Sequence, residues 1–523
     1  MSAALRQAFR RRVHGARWPV RSRPPGSLVG VLLVLVLALS MHRAEAQPYP
    51  TPPPPAPPRP LVIGAPSETL LENGLRLVVA RRTGVPLVTS QLVVLSGSEA
   101  DPPRLAGLAT MAASLLTQGT RRRSAPELAA AAEALGGSLE SGAGWHQSSI
   151  GITVTTPRLD AALALVAEVA TEPVFAPPEI DRIRTQSLDA LKVAYADPGT
   201  LATLVADRLA YAGSVYGHPA SGTPESLPRI RRDDLVALHA RTFRPDQAVL
   251  ILAGDITPEA ALALARRHFG GWRPAPAAGA AGAGAGEVPP TATGSATPAG
   301  PGSAGTPPAA VVDMARSGQA AVVLDVPLPP RTGAERTTGA VLNAVLGGGY
   351  SSRLNQEIRI RRGLSYSAAS SIDPRREAGL FRASVQTKNE SAADVVRLLQ
   401  AELDRLIETP VPADELAARK LTLIGGFSRS VETTAGLAAA IRGLVVGNRP
   451  VAELTTRIEA LDAVSSDDIR RYAAAHFGAA KRRVGVAGEG KVFGAALKDV
   501  LPAAVTVPQA ALDVERADGL TRE

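Results

Sequence analysis

One stretch of this chain is present twice, and that repeat constrains the fold more than any other feature. The segment ESLPRIRRDDLVALHARTFRPDQAVLILAGD, starting at Glu225, aligns without a gap with EALDAVSSDDIRRYAAAHFGAAKRRVGVAGE, starting at Glu459, at a constant offset of 234. Leu227 matches Leu461, Asp233-Asp234 matches Asp467-Asp468, Phe243 matches Phe477, and Ala253-Gly254-Asp255 matches Ala487-Gly488-Glu489. In each copy the Asp pair is placed to N-cap an apolar-periodic helix that runs to the Phe, and a short aliphatic strand ending in Ala-Gly follows. An uninterrupted repeat of this length predicts two copies of one folding unit.

The boundary between the copies is compositional. Residues 274–309 are Pro, Ala, Gly, Ser and Thr with almost no charge, which predicts a flexible linker with nothing to bury. It separates lobes at 61–273 and 310–508 and leaves 509–523 as a tail. In the first lobe, LRLVVARR and PLVTSQLVVLSG read as strands around a turn at Thr83-Gly84, with helices expected over 105–116, 125–135, 159–170 and 178–195 and a strand over 150–155. The second lobe repeats the scheme, with strands near 320–326, 365–372 and 379–386. Strands joined by hairpins and followed by helices predict an α+β fold class: two homologous lobes, each a mainly antiparallel sheet backed by helices.

Residues 1–46 read as a signal peptide: a basic start, the apolar run SLVGVLLVLVLALS, and Ala44-Glu45-Ala46 as a small-x-small cleavage site. Residues 47–60 are Pro-rich and read as a tether between the export signal and the first lobe. The apolar run is short for a membrane span, so no span is expected after cleavage. The absence of cysteine excludes a lipid anchor on Cys and any disulfide. Export is therefore expected, with a bacterial periplasm as the compartment. The signal region holds eight arginines and one glutamate, a net +7 of the chain's +9, which leaves +2 for the mature chain. That charge, with 3% aromatic residues, points away from nucleic acid.

A hydrolytic zinc site usually needs closely spaced His or Cys ligands with a carboxylate. The seven histidines (His14, His42, His146, His218, His239, His268 and His476) include no pair within five residues, and there is no cysteine. No GxSxG nucleophile elbow is present. Gly347-Gly348-Gly349 lacks the Lys-Ser/Thr of a phosphate loop and reads as a tight turn, and His146 beside Trp145 reads as a satisfied surface or edge residue.

Against that background, GLATMAASLLTQGT (Gly107 to Thr120) resembles the signature helix of the pitrilysin/insulinase (M16) metallopeptidases, in which His-x-x-Glu-His supplies two zinc ligands and a general base on one helix face. The resemblance puts Thr110 and Ser114 at the two His positions and Ala113 at the Glu position. The family's third ligand, a Glu on a later helix, falls at Ala190, 76 positions beyond Ser114. No metal is expected on this chain. The segment LGGGYSSRLNQEIRIRRGLSYS (Leu346 to Ser367) is similar to the family's second-lobe segment, whose Arg and Tyr correspond to Arg359 and Tyr366. Ser351 or Ser352 is placed to cap a helix carrying Arg359 and ending at Gly363, with Tyr366 on the following strand and both side chains at one mouth. YGHPASGTPESLPRI (Tyr216 to Ile230) also resembles a family segment.

The resemblance implies a non-catalytic, substrate-binding subunit of a heterodimeric peptidase. It would supply Arg359 and Tyr366 in trans to a His-x-x-Glu-His partner that carries the zinc, with peptides as substrates. The alternative is an exported scaffold or peptide-binding pseudopeptidase. A stand-alone hydrolase with an unrecognised site is disfavoured by the missing ligand pairs and elbow.

Overall fold

The computed structural model describes residues 63–273 and 306–521, apart from 103, 213, 331–332 and 516–519. The expected signal peptide, the tether and nearly all of the linker lie outside the described residues.

Each lobe is built on a six-stranded sheet. The first contains β1 (Ser67–Leu70), β2 (Arg76–Arg81), β3 (Leu87–Val94), β4 (Glu140–Ala143), β5 (Ser148–Thr155) and β6 (Ala248–Gly254), in the order β1-β2-β6-β3-β5-β4. The second contains β7 (Ala309–Asp313), β8 (Ala320–Leu328), β9 (Ala368–Pro374), β10 (Gly379–Thr387), β11 (Arg483–Gly488) and β12 (Ala504–Pro508), in the order β12-β7-β11-β8-β10-β9. The sheets are mainly antiparallel, as expected. The parallel pairs are β2 with β6, β7 with β11, and β12 with β7. The repeated helices, Arg232–Thr242 and Ser466–His476, fall at the predicted offset, and β6 and β11 follow them.

Three expectations require correction. β2 and β3 flank the turn at Thr83-Gly84 but do not form a hairpin, because β6 inserts between them. The reason is β6 itself: all of AVLILAG is buried, so it suits a central position covered on both faces. The Asp pairs do not supply N-cap residues. They lie inside the first turn, where Asp234 accepts from the Arg231 N–H at 2.8 Å and Asp468 from the Ser465 N–H at 2.9 Å, the N3 half of a capping box. Residues 509–515 are not a loose tail. Leu512 and Val514 are buried, Glu515 accepts from the Glu225 N–H at 2.9 Å, and the Asp513 carbonyl accepts from Arg208.

The faces of each sheet explain how the lobes join. One face of the first sheet packs Leu77, Val79, Leu92, Leu250 and Leu252 against helices of its own lobe. The opposite face (Val78, Val93, Val249, Ile251) is covered by Leu437, Ala438, Ile441 and Leu444 of the helix Thr434–Val446, which belongs to the second lobe. The second sheet reciprocates. Its outer face (Ala310, Val312, Ala321, Val323) packs against Leu201, Ala202, Val205, Ala206 and Leu209 of the first-lobe helix Pro198–Tyr211. The contact is close enough that a Cβ on Gly485 would sit 2.2 Å from the Ala202 carbonyl oxygen. The two exchanged helices occupy equivalent places in the repeat.

Polar contacts lock the exchange. Thr89 Oγ1 lies 2.8 Å from both Thr153 Oγ1 and Thr434 Oγ1. Arg382 bonds the fully buried Asp325 through two nitrogens and also reaches Asp207 on the exchanged helix at 2.8 Å. With this much shared core, the lobes are expected to unfold together. Trp145 and Trp272 report on the first lobe, and residues 310–523 contain no tryptophan. Ile441→Ala, although in the second lobe, should lower the urea stability read from tryptophan fluorescence by about 2–5 kcal/mol. Far-UV circular dichroism should give the same midpoint as fluorescence.

Candidate functional site

The segment that resembles the signature helix folds as the helix Leu108–Leu115. Its N-terminus is held by the buried Asp101 carboxylate, which accepts from the Gly107 N–H at 2.9 Å and the Ala109 N–H at 2.8 Å. Gly107 has φ +89°, and a Cβ there would come within 2.7 Å of the Gly222 Cα, so the chain of Tyr216 to Ile230 lies directly against the helix start. Thr110 donates from Oγ1 to the Ala220 carbonyl at 2.7 Å, and Ser114 donates back to the Thr110 carbonyl at 2.9 Å. Ala113 is buried, and its carbonyl accepts from Ser141 Oγ at 2.7 Å. Ala190 is exposed on the helix Pro177–Ala194.

These four residues do not fit a zinc ion. Two offer hydroxyls already donating to backbone carbonyls, and two offer no donor atom. Among the described residues no group of three His, Cys, Asp or Glu side chains is placed to hold a metal. No helix among them is long and apolar enough to cross a membrane.

The Arg–Tyr segment departs from expectation in three respects. Residues Asn355–Arg361 are a π-helix, and Gly363 at φ +62° ends it, with the Leu364 N–H bonding the Ile358 carbonyl at 2.9 Å. Neither serine caps the helix: Ser351 Oγ accepts from Arg419 at 2.6 Å, and Ser352 Oγ is buried without a hydrogen-bond partner. Tyr366 lies in the loop two residues before β9, not on the strand, and is 89% exposed. The Arg359 guanidinium stacks over the ring of Tyr350, 4.9 Å from its centroid. Tyr350, itself an exposed side chain, was not singled out from the sequence. The stacking was invisible there because Tyr350 occupies the variable position of the GGGxSS turn.

Tyr366 stands at a groove of about 620 Å³ on the second sheet. Small residues of the strands floor it (Ala321, Val323, Ala369, Ser384), and Ser365 and Ser367 flank Tyr366. The other wall comes from the first lobe: Asp197, Gly199, Thr200 and Thr203, at the start of the exchanged helix. Asp197 caps that helix by accepting from the Thr200 N–H at 2.8 Å, and Gln386 reaches it from β10 at 3.3 Å. Arg359 does not line this groove. The lining is rich in hydroxyl and amide groups over an apolar floor, suited to the backbone and uncharged side chains of a peptide.

His146 is neither exposed nor at an outer edge. It is buried where the lobes meet: Nε2 accepts the Arg376 N–H at 3.2 Å and lies 3.1 Å from the Tyr216 hydroxyl. Beside it, the buried Arg375 of the second lobe is enclosed by the rings of Trp145, Tyr211 and Tyr216 at 4.5, 4.5 and 4.8 Å. Desolvated cation–π contacts of this kind contribute about 2 kcal/mol. Sequence reasoning missed the cage because its members are far apart along the chain.

Burial raises the Asp101 carboxyl from 3.8 to about 7, against the opposing pull of the backbone N–H groups of Ala109, Gly107 and Leu108. The folded protein therefore binds this proton more tightly than the unfolded chain does. Stability contributed by the group falls as pH rises from about 4 to 7 and levels off above. An asparagine side chain does not titrate, so the urea-midpoint advantage of wild type over Asp101→Asn should shrink between pH 5 and 7 and stay constant from pH 7.5 to 8.5.

Compared with known proteins, residues 76–215 match the family described as "Insulinase (Peptidase family M16)", and residues 229–423 match "Peptidase M16 inactive domain". An uncharacterized zinc protease of Streptomyces coelicolor is 27% identical over 377 residues, covering 72% of this chain and 79% of the relative. A protein of Helicobacter pylori described as a non-peptidase homolog is 26% identical over 338 residues, covering 64% of this chain and 74% of the relative. The crystal structure of a peptidase M16 inactive domain from Pseudomonas fluorescens superposes with a TM-score of 0.71 at 22% identity, covering 81% of this chain and 98% of that one.

Proposed function

The chain belongs to the M16 peptidase family and has no zinc site among its described residues, and from this premise we propose that it is the non-catalytic, substrate-binding subunit of a two-chain peptidase. The observation that carries the reading is the contrast between the lobes. The zinc-motif positions Thr110, Ala113, Ser114 and Ala190 hold no ligand set, while the second lobe keeps Arg359 and Tyr366, with Tyr366 at a peptide-sized groove.

In this reading a partner subunit with an intact His-x-x-Glu-His helix carries the zinc and the water-activating base. This chain holds the peptide in its groove and offers the Tyr366 phenol as a hydrogen-bond donor to a substrate oxygen. Arg359 leaves Tyr350 to place its planar fork on the same substrate. One donor aimed at a developing oxyanion is worth about 3 kcal/mol. The basic and apolar N-terminal segment supports export of the assembly, with a bacterial periplasm as its compartment.

A second reading, an exported scaffold or peptide-binding pseudopeptidase, draws on the stacking of Arg359 over Tyr350 away from the groove. Co-expression with a His-x-x-Glu-His homologue separates the two. The pair should cleave peptides while each chain alone does not. Arg359→Ala combined with Tyr366→Phe should leave assembly intact and lower kcat by about 10²-fold or more. A partner equally active alone, or a mutant pair of undiminished turnover, assigns this chain to the scaffold role.

A further inference from the structure

The helix Pro198–Tyr211 brings two carboxylates to one face of β10, and β10 answers them differently. Arg382, Ser384 and Gln386 are alternate residues of β10 and share its outward face. Asp207, near the end of the helix, meets Arg382 at 2.8 Å, so its counter-cation comes from the protein. Asp197, the residue before the helix, meets the neutral amide of Gln386 at 3.3 Å. Asp197 Oδ1 also accepts from the Thr200 N–H at 2.8 Å and the Thr200 hydroxyl at 3.2 Å. A carboxylate offers about four lone-pair sites, so these bonds leave room for another donor. All of them come from neutral groups and leave the charge in place. The positive end of the helix, about half an elementary charge, offsets only part of it.

This half-buried carboxylate stands at the groove of Tyr366. Among the residues that line the groove only Asp197 is charged, and Lys388, which follows β10, lies outside the lining. The wall is drawn onto the strand at Gly199, where a Cβ would sit 2.9 Å from Asp197 Oδ1 and 3.0 Å from Gln386 Nε2. Tyr366 enters at the same end of β10: Ala368 pairs with Val385, and Tyr366 lies two residues before Ala368. A volume of about 620 Å³ takes a short peptide segment that meets both residues.

Resting on the peptide-binding role of that groove, we propose that it selects peptides carrying a cationic group, which Asp197 holds. The cation is a lysine or arginine side chain or a free amino terminus. Each supplies N–H donors and the charge that Asp207 already receives from Arg382 and Asp197 does not. Asp197 is then a specificity-determining residue lent by the first lobe to a site whose floor belongs to the second.

The test measures binding of short peptides to the purified chain by isothermal titration. One peptide carries a single central lysine between small neutral residues, with both ends blocked. A second replaces the lysine by norleucine, and a third is the norleucine peptide with a free amino terminus. At least one cationic peptide should bind about tenfold more tightly than the blocked norleucine peptide, and the advantage should shrink as salt rises. The tighter of the two cationic peptides identifies the source of the charge. Asp197→Asn should erase the advantage. Asparagine caps helices about as well as aspartate, so this variant should melt with wild type. Asp394→Asn, on an exposed residue paired with Arg397 away from the groove, should keep the advantage. Binding of all three peptides without preference for charge overturns the proposal and leaves the groove a peptide site. A preference that survives Asp197→Asn overturns it as well. Failure of every peptide to bind overturns the peptide-binding role of the groove, and the proposal with it.

Discussion

The structure depends on an exchange of helices. Each sheet has one apolar face that its own lobe covers and a second that it cannot. The helix Pro198–Tyr211 closes the second face of the second sheet, and Thr434–Val446 closes that of the first. Removing either contact uncovers a row of aliphatic side chains at the centre of the opposite lobe, at roughly 1.5–3 kcal/mol for each large one. The joint is thus two half-cores shared across the molecule. The Asp325–Arg382–Asp207 bridge and the caged Arg375 cross the same joint, each holding a buried charge against groups of the other lobe.

That arrangement also builds the groove. Its floor belongs to one lobe, and the wall from Asp197 to Thr203 is the beginning of a helix that belongs to the other. The helix Leu108–Leu115, by contrast, has a firmly held frame and no metal-ligand set on it. Asp101 still anchors its N-terminus and the Tyr216–Ile230 segment still packs on it, because those contacts serve folding whether or not a metal is bound. Thr110 and Ser114 have turned their hydroxyls to backbone carbonyls, which suits a half-buried side chain with no ligand to hold.

Much of this was legible in the sequence, and the limits are physical. The repeat, the helix following each Asp pair and the strand ending in Ala-Gly are local patterns, and they fall where periodicity puts them. Strand order is not local. Nothing around Thr83-Gly84 announces that β6, more than a hundred residues later, will part β2 from β3. The exchange left a partial signal: RLVVAR and AVLILAG are apolar on both faces, so something had to cover the second one, but an amphipathic helix does not state which sheet it will cover. Arg359 and Tyr366 were marked by the resemblance of their segment to the family's second-lobe segment. The stacking of Arg359 over Tyr350 is a side-chain orientation, and spacing carries no information about it.

The outer edges of the sheets differ. In the first lobe the strand beside β2 is β1, which precedes it and runs antiparallel. In the second lobe the equivalent place beside β7 is taken by β12, from the end of the chain and running parallel. The exchanged helices show no such asymmetry. A helix traded in both directions between equivalent positions is what two identical single-lobe chains would make on pairing about a two-fold axis. A lobe standing alone would have left one sheet face wet. The repeated unit is therefore a half-core: each copy completes the other's sheet, and neither copy covers both faces of its own.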